Sequence, residues 1–290
     1  MHVPVMTEEV LRYLAVQPGG RYLDATAGLG GHTLEIARRL ETGMVIACDR
    51  DAESLEIARA RLGGLAGRVH FRQALFSELE GVLQSMGVGK LDGLLADLGA
   101  SLYQFTSADR GFSFNADGPL DMRMDRSQGL TASDLVNSMS EQALADLIFN
   151  FGEERRSRRI ARAIVRARPL HSTIDLVRAV ERAVPRTGRL HPATQTFMAL
   201  RIAVNREQEE LDRLLEIAPR IVAARGRVVI ITFMSLEDRK VKRSFQALAR
   251  SGRVRILTRH VVRPGEQEVI SNPASRSAKL RAVEVIEEER

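Results

Sequence analysis

Acidic residues and glycines recur in this chain at spacings suited to a nucleoside-linked cofactor. Asp24 closes the apolar stretch Tyr22-Leu23-Asp24-Ala25, which runs into Ala27-Gly28-Leu29-Gly30-Gly31-His32. Glycines between a strand and a helix let a ligand approach backbone N–H groups at the helix N-terminus, where the dipole favours acceptors. Asp49 closes the next apolar stretch, Met44 to Cys48. It lies about twenty residues past the glycines, where a carboxylate accepts hydrogen bonds from both ribose hydroxyls of an adenosine. The same position also suits an N-cap for a helix opening near Ala52. Asp97 heads Asp97-Leu98-Gly99-Ala100-Ser101 after another apolar run. A carboxylate at the C-terminal end of such a strand can hold a ligand ammonium or an attacking amine. Phe76 follows a third apolar stretch, Val69-His70-Phe71, and is placed either to pack on an adenine or to fill core.

Ribose recognition of this kind serves NAD enzymes and S-adenosylmethionine (SAM) enzymes alike. The third glycine of a G-x-G-x-x-G dinucleotide fingerprint would fall on Thr33, and no Tyr-x-x-x-Lys pair or evident hydride-transfer acid follows. Methyl transfer therefore leads over hydride transfer. Cys48 is the single cysteine, so an intrachain disulfide and a thiolate zinc site are excluded. At the end of an apolar stretch, it is expected in the core. The six histidines are scattered, and no metal site is expected.

The elements that must position these residues follow from hydrophobic pattern. Short β-branched and apolar runs at Tyr22–Ala25, Met44–Cys48, Val69–Phe71 and Leu94–Ala96 alternate with helical stretches at Thr33–Leu40, Ala52–Leu62 and Ser77–Met86. That rhythm predicts right-handed crossover units on a parallel, doubly wound α/β sheet. A first helix is expected after Thr7 as N-cap. From Ser107 to about Asn205 the rhythm gives way to helical patterns at Thr131–Phe149, Glu153–Arg168 and Thr173–Val184. It returns with a strand at Arg227–Ile231, a helix at Leu236–Ala249 and strands at Val254–Val262 and Leu280–Ile286. Sheet material at both ends predicts a helical domain, residues 107–205, inserted into a sheet domain formed by residues 1–106 and 206–290.

Charge is distributed unevenly. The chain of 290 residues carries 43 basic and 37 acidic side chains, and all but four of the basic ones are arginine. Residues 151–206 hold thirteen arginines against four acids, so the rest of the chain is net acidic. Arg155, Arg158, Arg159, Arg162 and Arg166 fall at helical spacing, with Ile160, Ala163, Ile164 and Ala167 on the other side. Seven arginines between 155 and 168 with no acid among them point to a nucleic-acid backbone rather than a solvated face. No apolar run approaches the roughly 18 residues of a membrane span, so a cytoplasmic protein with no membrane partner is expected.

Several motifs together resemble the ribosomal RNA small-subunit methyltransferase H family, also called RsmH or MraW. They are His2-Val3-Pro4-Val5, Asp24 to His32, Asp49-Arg50-Asp51, Arg110 to Phe114, Asp117 to Asp125, Gly152 to Arg155, His191 to Thr194, Ser235 to Arg239 and Asn272-Pro273. The resemblance implies a class I Rossmann-like methyltransferase sheet with an inserted all-helical domain. It also implies SAM-dependent methylation of a cytidine N4 in the decoding region of 16S rRNA, within the 30S particle. Its cofactor residues fall on Gly30, Gly31, His32, Asp49, Phe76, Asp97 and Gln104. For catalysis, Asp97 and Ser101 are expected to position and stabilise the attacking amine. This chain departs from the family at Leu102-Tyr103, where Ser-Pro is usual, and at Met234, where a histidine is usual. A non-catalytic, RNA-binding ribosome-assembly factor and a Rossmann oxidoreductase are the rival readings.

Overall fold

A computed structural model describes residues 4–65, 67–127, 129–185 and 191–286; His2 and Val3 of the first family motif lie outside them. The chain divides into two compact units, one made of residues up to Gly99 and from Glu209 onward, the other of Ala100–Gln208.

The first unit opens with α1 (Thr7–Leu14), β1 (Arg21–Asp24), α2 (Gly31–Ala37), β2 (Met44–Asp49), α3 (Ala52–Arg61), β3 (Val69–Gln73), α4 (Leu79–Ser85) and β4 (Leu91–Asp97). The second contains α5 (Leu102–Thr106), α6 (Ala132–Ser138), α7 (Glu141–Gly152), α8 (Ser157–Arg166), α9 (Thr173–Ala183) and α10 (Ala193–Val204). After it come α11 (Glu207–Ile221), β5 (Val222–Thr232), α12 (Ser235–Arg250), β6 (Val254–Ile256), α13 (Glu266–Ser271) and β7 (Lys279–Val285).

Seven strands form one sheet in the order β3-β2-β1-β4-β5-β7-β6. The first five are parallel, with Leu23 opposite both Ile46 and Leu94, and β7 runs antiparallel to β5 and β6. Successive side chains of a strand face opposite sides, and two cores result. Leu23, Ile46, Leu94 and Ile230 pack with α4, α11 and α12, whereas Tyr22, Val45, Leu95 and Ile231 pack with α1, α2 and α3. Burial on both faces explains why the central strands read as continuous apolar runs rather than alternating ones. The β-strands end together at Asp24, Asp49 and Asp97, so their carboxylates share one edge of the sheet.

The second unit has its own core, in which Val136, Leu144, Ile148, Ile160, Ile164, Leu176, Val180, Phe197 and Leu200 meet.

Local chemistry moved several expected boundaries. Thr7 is the first residue of α1 rather than its cap; Met6, in the left-handed region, precedes it, and the Thr7 hydroxyl donates back to the Pro4 carbonyl. The pattern over 131–149 is two helices, because Met139 is extended and Ser140 caps a new start, its Oγ accepting from Ala143 N. Helix α8 opens at Ser157 rather than near Glu153, since Glu153 is left-handed and Glu154 engages the Arg156 backbone and guanidinium. The strand expected to reach Val262 stops at Ile256. There the Thr258 hydroxyl accepts from Ala282 N in place of a backbone carbonyl, and Val262 keeps an isolated bridge to Leu280.

Candidate cofactor site

The turn after β1 is built around Asp24, which is fully buried. Its two oxygens accept from Thr33 Oγ1 at 2.7 Å and from Thr26 N at 3.2 Å, tying the strand end to α2. Burial raises its pKa, against the pull of His32 and of these donors. Gly30, at φ +79°, caps α2 without a side chain, and a Cβ there would come within 2.5 Å of Leu62 Cδ1. A Cβ on Gly31 would press on the Pro4 ring at 3.1 Å. The left-handed backbone demands glycine at 30, and close packing favours it at 31. Gly28, also left-handed, has open space beside its α-carbon, and its N–H donates to Asp49 Oδ2 at 2.7 Å.

Asp49 thus spans two elements, because its Oδ1 accepts from Asp51 N at 2.9 Å. It does not cap α3; Asp51 does, accepting from Glu53 N and Ser54 N. Burial pushes the Asp49 pKa up to about 6, and the two backbone donors oppose that rise. Each oxygen retains a lone pair after its one backbone bond, which suits a diol that offers two hydroxyl donors.

Asp97 ends β4 and donates its backbone N–H to Thr26 Oγ1 at 2.6 Å. Its Oδ2 stands 3.5 Å from His32 Nε2, beyond a well-formed hydrogen bond. The His32 side chain is 6% exposed, and neither ring nitrogen has a hydrogen-bond partner among the described residues; nor does Asp97 Oδ1. Burial disfavours an imidazolium, yet Asp97, with Asp24 and Glu268 beyond it, raises the His32 pKa above its ordinary value. Glu268 reaches this corner from α13 by accepting from Met6 N at 2.6 Å. Phe76, in a short turn before α4, is half-buried against the core between the sheet and α4.

Buried polar atoms without partners are rare and call for an explanation, which a bound ligand can supply. Three carboxylates facing one imidazole suit a cationic ligand group, and Asp49 suits a ribose diol. The residues present therefore fit SAM, whose bound sulfonium supplies the transferable methyl group. Asp49 would hold the ribose and Asp97 the ammonium.

Ser101 and Gln104 belong to the second unit and are joined to each other. Ser101 Oγ accepts from Gln104 N at 3.3 Å, while Gln104 Oε1 accepts from Ser101 N at 2.9 Å, a reciprocal cap of α5. Arg158, Arg159, Arg162 and Arg166 of α8 are all exposed, as is Arg155 in the turn before it, while Ile160 and Ile164 of the helix are buried. The segment itself offers these arginines no acid. The fold supplies some: Arg162 pairs with Glu141 of α7 at 3.2 Å, and Arg156 with buried Glu154 at 3.0 Å. Arg168 donates to the Val136 and Met139 carbonyls at the end of α6. Sequence reasoning does not single out Glu268 or the hydroxyls of Thr26 and Thr33, and nothing in their local patterns marks them.

The conspicuous motif of residues 110–125 is held by bonds to its own backbone and to side chains of α9 and the end of α10. Fully buried Arg110 donates to the Arg123 and Met124 carbonyls, and Asp121 holds Arg123 through both oxygens at 2.8 and 2.9 Å. A Cβ on Gly111 or Gly118 would strike a backbone oxygen, at 2.1 and 1.9 Å. Glu237 of the Ser235–Arg239 motif accepts from Phe233 N and Met234 N, and Asp238 grips Arg281.

No helix among the described residues is long and apolar enough to cross a membrane, and they contain no metal-binding cluster of His, Cys, Asp and Glu. Residues 1–286 match the MraW methylase family. A ribosomal RNA small subunit methyltransferase H from Solibacter usitatus is 61% identical over 285 residues, covering 98% of this chain and 100% of that protein. Its namesake from Acidobacterium capsulatum is 51% identical over 293 residues, covering 98% of each chain. Among solved structures, an rRNA methylase from Streptococcus thermophilus covers 99% of this chain and 100% of its own, at 11% identity and a TM-score of 0.45. With a family match that spans nearly its whole length, the chain belongs to the MraW methylase family and takes S-adenosyl-L-methionine as its methyl donor.

Proposed function

We propose that this protein is a cytoplasmic enzyme that methylates the exocyclic N4 of a cytidine in the decoding region of 16S rRNA, within the 30S particle. The observation that carries the reading is the family match over residues 1–286, together with relatives named ribosomal RNA small subunit methyltransferase H. The site agrees in chemistry. An exocyclic cytosine amine is a weak nucleophile whose lone pair is delocalised into the ring, and it gains positive charge as it is methylated. It therefore needs alignment with the methyl carbon and acceptors placed where charge develops. Asp97 and the carbonyls of Leu98 and Gly99 supply such acceptors, and Ser101 follows closely enough in the chain to help orient the base. Gly30, Gly31, His32, Asp49, Phe76 and Gln104 complete the cofactor set. The exposed arginines of α8, with Arg155 just before it, take the RNA backbone, since planar guanidinium forks suit phosphates.

The test is methylation of 30S particles with tritiated SAM, followed by mapping of the labelled nucleotide. Label on N4 of one decoding-region cytidine is expected. Particle binding without transfer would favour an assembly factor, and label on another base would overturn the position. Single-turnover rates at saturating SAM define the role of Asp97: a strongly reduced rate in Asp97→Asn is expected, and a normal one would leave Asp97 a cofactor ligand alone.

A further inference from the structure

The resemblance places His32 among the cofactor residues, and its side chain is buried in the protein. The ring is buried at the start of α2, and Nε2 points toward Asp97 Oδ2 at 3.5 Å, while Asp97 Oδ1 has no donor among the described residues. The groups around it come from three elements: Asp24 from β1, Asp97 from β4 and Glu268 from α13. Asp24 is already engaged by Thr33 and Thr26, and Glu268 by Met6 N. Of the three, Asp97 is the carboxylate with a buried oxygen that no described residue serves as donor. A protonated ring at this spot would fix one oxygen of Asp97 and leave the other turned to a ligand donor.

We infer that His32 is a positioning residue that acts through Asp97, its Nε2–H holding the carboxylate in the orientation that receives the cofactor's ammonium. This rests on the reading of Asp97 as a cofactor ligand. The direction of the His32 pKa agrees with the geometry: burial disfavours the charged ring, but the neighbouring Asp97 carboxylate outweighs it and raises the pKa.

A double-variant cycle on SAM affinity, by calorimetry on the full chain, separates direct from indirect action. His32→Ala and Asp97→Asn are each expected to weaken binding about tenfold or more, as loss of a charge-assisted hydrogen bond does. Because both remove one arrangement, the double variant should bind within about twofold of Asp97→Asn alone. Multiplying effects would make His32 an independent ligand and overturn the inference while leaving the Asp97 reading intact. Unchanged affinity in Asp97→Asn would overturn both. His32→Asn, which keeps a donor but cannot titrate, should recover part of the affinity. It should also lack the fall that wild type shows as pH rises through the His32 titration; the cofactor's own amine titrates alike in both proteins, so their difference isolates the ring. If the His32 variants do not fold, imidazole ¹⁵N titration in wild type and Asp97→Asn decides: the His32 pKa should fall in the variant, and an unmoved value would overturn the inference.

Discussion

One motif from each unit shows a different use of polar residues. At the strand ends of the sheet unit, His32 and Asp97 retain polar atoms that no described residue satisfies. In the helical unit, the most conspicuous motif, residues 110–125, has its backbone held by its own Arg110 and by Asn205. Asn205 shows the pattern: it accepts from Met124 N and donates to the Met122 carbonyl, both at 2.7 Å, clasping the same loop from the end of α10. Two motifs of similar prominence thus carry different roles. One keeps unmet hydrogen-bonding capacity for a ligand, and the other commits its capacity to shape.

The sharpest way to break this comparison is Arg110→Met. The variant removes a fully buried guanidinium and leaves the Arg123 and Met124 carbonyls without their donor. A buried unsatisfied acceptor costs roughly 1–3 kcal/mol, so a loss of about 3 kcal/mol or more is expected. Urea unfolding followed by circular dichroism measures it. Near wild-type stability together with lost RNA binding would move Arg110 from scaffold to function.

Asp49→Ala tests the sheet unit and should weaken SAM binding by roughly 1.5–3 kcal/mol, the range for hydrogen bonds to a charged group. The proton linkage has a definite sign. Burial pushes Asp49 up to about 6 in the fold, above the usual carboxylate value of about 4. Its contribution to stability is therefore fully present at low pH and declines as pH rises from about 4 through 6. Ribose hydroxyls donate best to the ionised form, so SAM affinity should rise with pH across the same interval. Asp49→Asn should flatten both trends, and affinity independent of pH between about 4.5 and 7 would sink the assignment.

These contrasts also explain what is legible in the sequence and what is not. Asp24, Asp49 and Asp97 are legible because an acid that ends an apolar run on a parallel strand lies at the sheet edge whatever else the chain does. The parallel order is legible for the same reason: strands buried on both faces cannot hide their continuous apolar character. The His32–Asp97 approach is not, since it depends on how α2 settles over β4. Glu268 reaches the corner from α13, near the other end of the chain, and only the folded backbone brings it there. Between a strand and a helix, Gly30 and Gly31 suggest room for a ligand; that the same glycines also make room for Leu62, Ala58 and Pro4 is visible only in the fold. The arginine stretch is acid-free within its own segment, but α7 supplies Glu141 across a helix pair that local spacing does not encode.

The arginine face gives a smaller effect, spread over several side chains. Replacing Arg158, Arg159 and Arg162 with Gln should weaken binding to small-subunit rRNA and lower the salt slope by about 0.7 for each single-strand phosphate no longer neutralised. SAM affinity should stay within about twofold, because the three arginines belong to the helical unit and Asp49, His32 and Asp97 to the sheet unit, and substitutions that share no partner leave one another's energies nearly unchanged. Arg162 should contribute least of the three, as its guanidinium already meets Glu141. Filter binding between about 50 and 300 mM salt measures the slope, and a slope equal to wild type would make this a solvated face.

Cys48→Ser should have the smallest functional effect, even though the residue adjoins Asp49. The thiol is fully buried among Leu23, Ile46 and Leu94, and burial with the neighbouring Asp24 and Asp49 carboxylates pushes its pKa up to about 12. A thiolate is the reactive form, so at neutral pH this sulfur is no nucleophile, and direct transfer of the methyl group to an amine needs none. Its role is to fill space on the face of β2 that packs under α4 and α11. A serine hydroxyl there lacks the thiol's apolar character and would have to find an acceptor, at a cost of about 1–3 kcal/mol in stability. SAM affinity and single-turnover rate should stay within a few-fold of wild type, and native protein should resist alkylation until it unfolds. A large drop in rate with stability intact would instead bring Cys48 into the site and erase the division between the strand's buried face and its functional end.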